Sequence, residues 1–154
     1  MSRPDQVRAA APADLPAVRA LLSEAGLPLE GTDDAFRHGV VALDWEAADN
    51  RSAIVGAAAI EPYATDGLLR SVVVAGGERG NGVGRALVAA AEGVARGLGI
   101  TDVYLLTETA ADWFPRLGYA PLDRAAAPPG IAGSWEFRFA CVEQGILMHR
   151  ALRD

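Results

Sequence analysis

Residues 79–84 read Arg-Gly-Asn-Gly-Val-Gly and separate two segments of different character. Before them, residues 68–75 form a β-branched apolar stretch that predicts a strand. After them, residues 84–98 form an alanine-rich stretch with apolar residues at helical spacing. A strand, a glycine loop and a helix start in this order leave several backbone N–H groups at the positive end of a helix dipole. We therefore expect a phosphate-binding turn at this point of the chain.

The glycine spacing excludes two common phosphate-binding motifs. A Walker loop continues with Lys and then Ser or Thr after its last glycine, but Gly84 is followed by Arg-Ala. A dinucleotide fingerprint needs Gly-x-Gly-x-x-Gly, and the sixth position from Gly80 is Arg85. From Gly82 the sixth position is Leu87. The spacing that fits is Arg-x-x-Gly-x-Gly, with an ordinary glycine-rich turn as the alternative.

Size and composition limit the class of protein. The chain has 154 residues and is 51% hydrophobic, which predicts a single domain spanning residues 1–154. Its net charge of −6 without a Lys/Arg cluster argues against nucleic acid as a partner. The longest apolar run, residues 53–60, is far shorter than the roughly 20 residues that span a bilayer, so no membrane association is expected. Residues 1–10 have no apolar segment of the kind that secretion signals contain.

The sequence offers little support for thiol or metal chemistry. Cys141 is the single cysteine, so no internal disulfide can form, and a cytoplasmic location is the simplest expectation. Cys141 with His38 or His149 could suggest a thiol nucleophile, but no local motif supports it. The two histidines are far apart and do not have the spacing of metal ligands, so no metal is expected.

Hydrophobic periodicity and turn residues predict the order βα-αβββ-αβ-αββ. The expected strands are residues 7–10, 40–45, 53–61, 68–75, 102–107, 119–123 and 145–150, and the expected helices are 12–25, a short one from Thr32, 84–98 and 109–117. Pro62 is expected to end the third strand because proline donates no ladder hydrogen bond. Residues 125–133 predict a loop, and residues 135–139 are read as a further paired segment.

This order resembles the GNAT superfamily of N-acetyltransferases over nearly the whole chain. The loop at 79–84 resembles the acetyl-CoA pyrophosphate loop of that family, and residues 113–119 (Trp-Phe-Pro-Arg-Leu-Gly-Tyr) look like its aromatic-x-x-Leu-Gly-aromatic helix end. The resemblance implies an α/β (α+β) GNAT fold, with a mixed, mostly antiparallel sheet of about seven strands, about four flanking helices and a splayed cofactor-binding strand pair. It also implies acetyl-CoA as cofactor, direct transfer in a ternary complex and a possible homodimer.

A narrower resemblance concerns the acceptor. Four short pieces, at residues 61–63, 68–71, 105–109 and 136–138, look like a branch that includes arsenic-resistance-associated acetyltransferases and small amino-acid N-acetyltransferases. They imply transfer of acetyl to the primary amine of a small molecule, an amino acid or an analogue that could contain arsenic. The alternatives are an acetyltransferase that acts on a protein N-terminus or another amine, and a non-catalytic acyl-CoA-binding module.

The resemblance also assigns residues to the cofactor. Backbone N–H groups of the loop would hold the pyrophosphate, and the arginines at its two ends would add positive charge, although the second could equally be a solvated surface residue. In the family, the strand before the loop binds pantetheine through its backbone. The expected cofactor-binding residues are Val72, Val73, Val74, Arg79, Gly80, Asn81, Gly82, Val83, Gly84, Arg85 and Phe114.

For the acceptor, Arg70 is the leading candidate. It interrupts an apolar strand, and simple alternation puts it on one face with Val72 and Val74, where a guanidinium could bind a substrate carboxylate. The alternative is that Arg70 lies at the exposed start of its strand. Glu61 and Glu108 end strands and are the candidate general bases, with Glu61 preferred. Further candidates for substrate contact are Tyr63, Thr107, Glu136 and Arg138.

The sequence departs from the family at the general acid. Many members carry a tyrosine four residues before the glycine of the helix end, and here that position is Phe114, which has no proton to donate. Either another group such as Tyr63 or Tyr119 protonates the leaving thiolate, or the thiolate departs without a dedicated acid.

Overall fold

A computed structural model describes residues 7–44, 53–76, 82–139 and 145–152. Within these ranges, seven strands and five α-helices are present. The strands are β1 (Val7–Ala9), β2 (Gly39–Asp44), β3 (Ala53–Tyr63), β4 (Asp66–Val74), β5 (Asp102–Thr107), β6 (Ala120–Pro121) and β7 (Ile146–Ala151). The helices are α1 (Leu15–Glu24), α2 (Thr32–Ala35), α3 (Val83–Gly97), α4 (Pro129–Ala132) and α5 (Trp135–Phe139), and 3₁₀ turns occupy Pro12–Asp14, Phe36–His38, Phe114–Leu117 and Arg124–Ala126. No helix of the described ranges is long and apolar enough to cross a membrane.

The strands lie in the order β1-β2-β3-β4-β5-β7-β6 in one open sheet. Antiparallel ladders join β1 to β2, β2 to β3, β5 to β7 and β6 to β7, whereas β4 and β5 are parallel. The parallel pair is connected through α3, which makes a βαβ crossover of the kind that follows a hairpin meander. The predicted mixed, mostly antiparallel sheet of seven strands is therefore confirmed.

The β4–β5 ladder is short. It contains three residue pairs, from Asp66 opposite Asp102 to Leu68 opposite Tyr104, although β4 continues to Val74. β5 pairs with β7 along all six of its residues. Pairing between the parallel strands thus stops after Leu68, which agrees with the splayed strand pair that the resemblance implied.

The chain divides into two compact units, each with its own apolar cluster. The first comprises Met1–Ile60 and Ser71–Val94, and its cluster contains Val18 and Leu22 of α1, which are fully buried. The second comprises Glu61–Arg70 and Ala95–Asp154, and its cluster is formed by Leu68, Tyr104, Leu106, Ile131 and Leu147. That residues 1–154 form one domain stays a prediction.

Several details differ from the sequence-based expectation. The predicted helix at 109–117 is only a 3₁₀ turn at Phe114–Leu117, where Pro115 lacks a helical N–H donor, and the predicted strand 119–123 is limited to β6. β3 continues through Pro62 to Tyr63, because its ladder with β2 reaches only Ala59 and no N–H is needed on that side of Pro62. Residues 135–139 form α5 rather than a strand, because the Ser134 hydroxyl accepts a hydrogen bond from the Phe137 N–H (3.2 Å) and caps the helix. Residues 125–133, read as a loop, contain α4 and part of a 3₁₀ turn.

A further difference lies in the middle of β4. Ser71 has φ +58°, one of two non-glycine residues in the described ranges with positive φ, and this left-handed conformation is typical of a bulge. A bulge interrupts the alternation of side chains along a strand. The prediction that Arg70 shares a face with Val72 and Val74 was therefore wrong, since it assumed regular alternation.

In the first unit, α3 approaches β3 closely at Gly56. A Cβ atom at this position would lie 2.7 Å from Leu87 Cδ1 and 3.0 Å from the Val73 carbonyl oxygen. Leu87 is fully buried, so neither neighbour can move away easily. The absence of a side chain at Gly56 therefore sets the distance between α3 and the sheet.

We expect Gly56→Ala to destabilise the fold by about 1–3 kcal/mol, because the added methyl group overpacks the contact with α3. Gly93→Ala is the matched control, since nothing lies within 4 Å of that position in the middle of α3, and a helix gains about 1 kcal/mol from Gly→Ala. Urea unfolding followed by circular dichroism measures both. Equal unfolding midpoints for Gly56→Ala and the unsubstituted protein would contradict the close approach.

Candidate active site

The first unit contains the backbone groups that were assigned to pantetheine. The Ala75 N–H donates to the Val55 carbonyl oxygen (2.8 Å), so Ala75 directs its polar groups toward β3. Polar groups alternate along an antiparallel strand, so those of Val73 also point toward β3, and those of Val72 and Val74 point away from it. Of the three predicted valines, Val72 and Val74 are therefore the ones whose N–H groups are oriented away from the β3 ladder.

The start of α3 is the second candidate cofactor feature. Gly82 has φ +80°, and its carbonyl accepts the first helical hydrogen bond, from the Ala86 N–H (3.1 Å). The N–H groups of Val83, Gly84 and Arg85 come before that bond and have no acceptor within the helix. Three N–H donors at the positive end of a 15-residue helix fit the pyrophosphate of acetyl-CoA.

Part of the predicted loop cannot be compared with the structure. Arg79, Gly80 and Asn81 lie outside the described residues. Arg85 is exposed, which suits either a contact with phosphate or a solvated position.

The second unit contains a cluster of ionisable side chains around Arg70. One carboxylate oxygen of Glu61 accepts a hydrogen bond from the Tyr63 hydroxyl (2.6 Å), and the other accepts one from Arg70 NH1 (2.8 Å). A carboxylate oxygen of Glu136 lies 3.8 Å from Arg70 Nε, which is an ion pair without a hydrogen bond. We call these four residues the acceptor cluster.

Exposure differs sharply within the acceptor cluster. The side chain of Arg70 is 1% exposed and that of Glu136 is 8% exposed, whereas that of Glu61 is 18% exposed. Arg70 therefore does not lie at an exposed strand start, which was the alternative reading of the sequence. Glu61 is the more accessible partner of the buried guanidinium.

Local structure explains how the cluster is assembled. β3 and β4 are joined by a two-residue turn in which Ala64 has φ +58°, and this turn places Glu61 and Arg70 on neighbouring strands. Glu136 comes from the first turn of α5. The preceding helix α4 packs tightly on β3, since a Cβ atom at Gly130 would lie 2.7 Å from Tyr63 Cβ.

Burial and charge change the acidity of two members. Burial raises the pKa of the Glu136 carboxyl to about 7, with nearby Glu61 adding to the rise and Arg70 opposing it. Burial, together with the hydrogen bond to Glu61 and its charge, raises the pKa of the Tyr63 hydroxyl above its usual range. Tyr63 thus stays protonated and donates a hydrogen bond to Glu61, and Glu136 changes charge near neutral pH.

The other predicted acceptor residues are not part of this cluster. The Thr107 hydroxyl is buried and accepts a hydrogen bond from the Ala110 N–H (2.9 Å), so it stabilises the turn after β5. Glu108 is exposed. Arg138 is also exposed, and its guanidinium lies 5.0 Å from the centre of the Phe139 ring. Within the described ranges, no ion pair joins Glu108 or Arg138 to Arg70 or Glu136.

Phe114 and Tyr119 belong to an aromatic group at the 3₁₀ turn Phe114–Leu117 of the second unit. Phe114 is buried and makes edge-to-face contacts with Trp113 (4.8 Å) and Tyr119 (5.8 Å). Tyr119 is also buried. The assignment of Phe114 to the cofactor stays a prediction, and so does a role for Tyr119 as general acid.

The remaining predictions concern Cys141 and the histidines. Cys141 lies outside the described residues. His149 Nε2 lies 2.8 Å from Asp102 Oδ1, and its ring stacks near Tyr104. In the part of the chain that the structure describes, no group of three or more His, Cys, Asp or Glu is arranged to hold a metal ion.

The sequence pattern around Glu136 is misleading. The segment Trp-Glu-Phe-Arg-Phe alternates apolar and polar residues and therefore suggests a strand. The signal that identifies the helix is Ser134, a preferred N-cap residue directly before the segment. The Ser134 cap indicates that Glu136 lies in a first helical turn. The contact of Glu136 with Arg70, in contrast, depends on the tertiary fold.

The N–H groups at the start of α3, in a βαβ unit, fit a phosphate-containing ligand. A family model for the acetyltransferase (GNAT) domain matches residues 39–121, which is more than half of the chain. The chain therefore belongs to the GNAT acetyltransferases.

Solved structures agree with this assignment at the level of the fold. Rv2747 from Mycobacterium tuberculosis, in complex with CoA and NLQ, is 23% identical with a TM-score of 0.77, and the match covers 96% of this chain and 99% of that one. N-acetylglutamate synthase from Neisseria gonorrhoeae, complexed with CoA and N-acetyl-glutamate, is 21% identical with a TM-score of 0.77. That match covers 96% of this chain but 35% of the synthase.

A third structure, a putative acyl-CoA N-acyltransferase from Klebsiella pneumoniae, is 20% identical with a TM-score of 0.71, with 96% and 95% of the two chains covered. Together with the family match, these structures confirm the predicted GNAT fold. The predictions of an N-acetyltransferase and of acetyl-CoA as its cofactor are confirmed as well.

We expect Gly84→Asp to weaken CoA binding about tenfold or more, because a carboxylate in the first turn of α3 repels the phosphates. The same carboxylate interacts favourably with the helix dipole, so the fold should remain intact. Gly93→Asp is the control, since it adds the same charge at an exposed position later in α3. Calorimetric titration with CoA measures both variants, and equal affinities for the two would remove the helix start from the cofactor site.

We expect Glu136 to make stability depend on pH. Its pKa in the folded protein, about 7, lies above the ordinary value of 4.5, so its contribution to the free energy of unfolding is complete below about pH 4.5 and is lost as pH rises through 7. Relative to Glu136→Gln, the unsubstituted protein should lose about 2–3 kcal/mol between pH 5 and pH 8.5. Urea unfolding at both pH values tests this, and parallel behaviour of the two proteins would rule out a buried, protonated Glu136.

Proposed function

We propose that this acetyltransferase acts on the primary amine of an amino acid or an amino-acid analogue. The observation that carries the proposal is the acceptor cluster, in which the accessible carboxylate Glu61 and the guanidinium of Arg70 are hydrogen-bonded to each other. A free amino acid has one positive and one negative group, and a cluster with both charges can pair with each of them.

Glu61 is the proposed site for the ammonium group. Two donors, Tyr63 and Arg70, fix the orientation of its carboxylate through hydrogen bonds of 2.6 and 2.8 Å. An oriented, partly exposed carboxylate can bind an ammonium group and then accept one of its protons. Loss of that proton gives the nitrogen the lone pair that acetyl transfer requires. Glu61 thus combines binding of the acceptor with the role of general base.

When bound, acetyl-CoA supplies the acetyl group as a thioester. The N–H groups of Val83, Gly84 and Arg85 would hold its phosphates, and those of Val72 and Val74 would hold the pantetheine chain. Tyr63 donates a hydrogen bond to Glu61, and its own pKa is raised, so its role is to orient Glu61. We therefore propose that the thiolate leaves without a dedicated protein acid.

One fold neighbour supports an acceptor of this class by analogy. The Neisseria synthase was solved with N-acetyl-glutamate, which is an acetylated amino acid. The local resemblance at residues 61–63, 68–71, 105–109 and 136–138 extends the proposal to arsenic-containing amino-acid analogues. At about 20% identity the neighbours share the fold, and acceptor choice is set by the side chains of each site.

A peptide N-terminus is the second acceptor class. One further fold neighbour, the NatC complex, was solved with a Gag peptide and CoA, at 13% identity and a TM-score of 0.69. An N-terminal residue has the same α-amine as an amino acid but has no free α-carboxylate. The two classes therefore differ in whether Arg70 has a carboxylate to bind.

The direct test incubates the purified protein with acetyl-CoA and a panel of amines while free thiol is measured. We expect turnover with free amino acids or arsenic-bearing analogues, and little with their amides, with peptides or with polyamines. Preference for peptides would replace the proposed acceptor with a protein N-terminus. CoA binding without thiol release from any amine would favour the non-catalytic module.

Two variants test the assigned roles. Glu61→Gln should lower kcat about 100-fold or more through loss of the base, with little change in the KM of acetyl-CoA. Arg70→Ala should raise the KM of the amino acid far more than that of acetyl-CoA. Arg138→Ala is the control, because it removes an exposed arginine outside the acceptor cluster.

Because removing a buried charge can unfold a protein, Arg70→Lys is measured beside Arg70→Ala. Lysine keeps the positive charge but cannot form the two-pronged contact, so an intermediate KM is expected. Equal effects of either substitution on the two substrates would take Arg70 out of the acceptor site.

A further inference from the structure

The two carboxylates around Arg70 are held in different ways. Glu61 is hydrogen-bonded to Arg70 NH1 at 2.8 Å, whereas Glu136 is 3.8 Å from Arg70 Nε, beyond hydrogen-bond distance. Glu61 also accepts a second hydrogen bond from Tyr63. Of the two carboxylates, Glu136 is therefore the one whose contact with the guanidinium is more easily replaced.

Glu136 also cannot turn readily into solvent. Its side chain is 8% exposed, and its helix α5 is anchored by the cap at Ser134, whose hydroxyl also donates to the Ile131 carbonyl (2.7 Å). Ile131 belongs to the apolar cluster of this unit. A carboxylate that stays buried beside a second negative charge becomes protonated, because two adjacent charged carboxylates are costly in a buried site.

From this geometry, and resting on the proposed amino-acid acceptor, we propose that the acceptor's α-carboxylate binds beside Arg70 at the edge that Glu136 now faces, and that Glu136 takes up one proton from solvent. The neutral Glu136 then donates its O–H to the acceptor carboxylate. Without an acceptor, Glu136 is the anion next to Arg70; in the complex it is a neutral hydrogen-bond donor to the acceptor carboxylate. Glu136 is therefore a specificity-determining residue for acceptors with a carboxylate.

The charges around Glu136 are consistent with this exchange. From β3 and β4 it faces Glu61, Tyr63 and Arg70, and only the last is positive. On its own helix, Arg138 is exposed and lies over the Phe139 ring.

Another cation, Arg124, comes from a neighbouring 3₁₀ turn. Its guanidinium lies 4.9 Å from the centre of the Phe137 ring and donates to the Gly145 carbonyl (2.9 Å). Among the described residues, Arg70 is thus the cation in contact with Glu136, and its charge stabilises the ionised carboxylate. A second anion next to Arg70 weakens this stabilisation of ionised Glu136. The pKa of Glu136, already about 7, then rises further.

Proton uptake on binding is the observable. The CoA-saturated protein is titrated at pH 8 by calorimetry in phosphate and in Tris, whose ionisation enthalpies differ, so the two heats give the number of protons exchanged. The probes are the N-acetyl derivatives of L-glutamate, L-methionine and L-phenylalanine, each paired with its α-amide. Neither the acetylated amino acid nor its amide has an ionisable α-amine, so the comparison isolates the effect of the α-carboxylate.

We expect uptake of roughly half to one proton more for an acetylated amino acid than for its amide, since Glu136 is mostly ionised at pH 8 before binding. In Glu136→Gln the difference should disappear. Glu24→Gln is the matched control, because it removes an exposed carboxylate on α1 and should leave the difference unchanged.

The outcomes separate this proposal from the proposed function. If the amino acids are acetylated but the acid and the amide show equal proton exchange, the role of Glu136 is overturned and the acceptor class stands. If none of the amino acids binds or is acetylated, both proposals are overturned together. The comparison of acid with amide uses the unsubstituted protein, so the test remains decisive even if Glu136→Gln fails to fold.

Discussion

The second unit is organised around the buried guanidinium of Arg70. A charge that is 1% exposed is tolerated only when it is paired and hydrogen-bonded, and here β3 supplies Glu61 and α5 supplies Glu136. The positions of these two elements are therefore constrained by the same cation. Glu61 is hydrogen-bonded and partly accessible, whereas Glu136 is buried and only ion-paired. The two carboxyl groups next to this one arginine therefore differ in their chemistry.

The proposed cofactor site in the first unit depends on the backbone instead. Gly56 allows α3 to approach the sheet, and Gly82 allows the turn that begins α3. The ladder between β4 and β5 ends after Leu68, so the later residues of β4 are not occupied by that ladder. A site formed by N–H groups requires glycines and a strand–helix junction but few particular side chains, which explains how it can be recognised in a chain whose fold neighbours are about 20% identical.

The strands and the helix after the glycine loop were predictable because each has a local signal: β-branched runs, turn residues and helical spacing. Errors arose where local signals conflict. The segment 135–139 alternates like a strand but is capped as a helix by Ser134. Pro62 resembles a strand end but lies where β3 no longer pairs with β2. Regular alternation placed Arg70 with Val72 and Val74, and the positive φ of Ser71 breaks that alternation.

The sequence by itself determined the proposed acetyl-CoA site of this protein. Glycine spacing and flanking periodicity indicate a phosphate-binding βα junction, and these are properties of neighbouring residues. Only the tertiary structure decided the acceptor cluster. Glu61, Arg70 and Glu136 are separated by up to 75 positions, and no local pattern reports that a helix cap and a strand hairpin bring them together. The charge state of Glu136 follows from burial and from its distance to Arg70, and both exist only after folding.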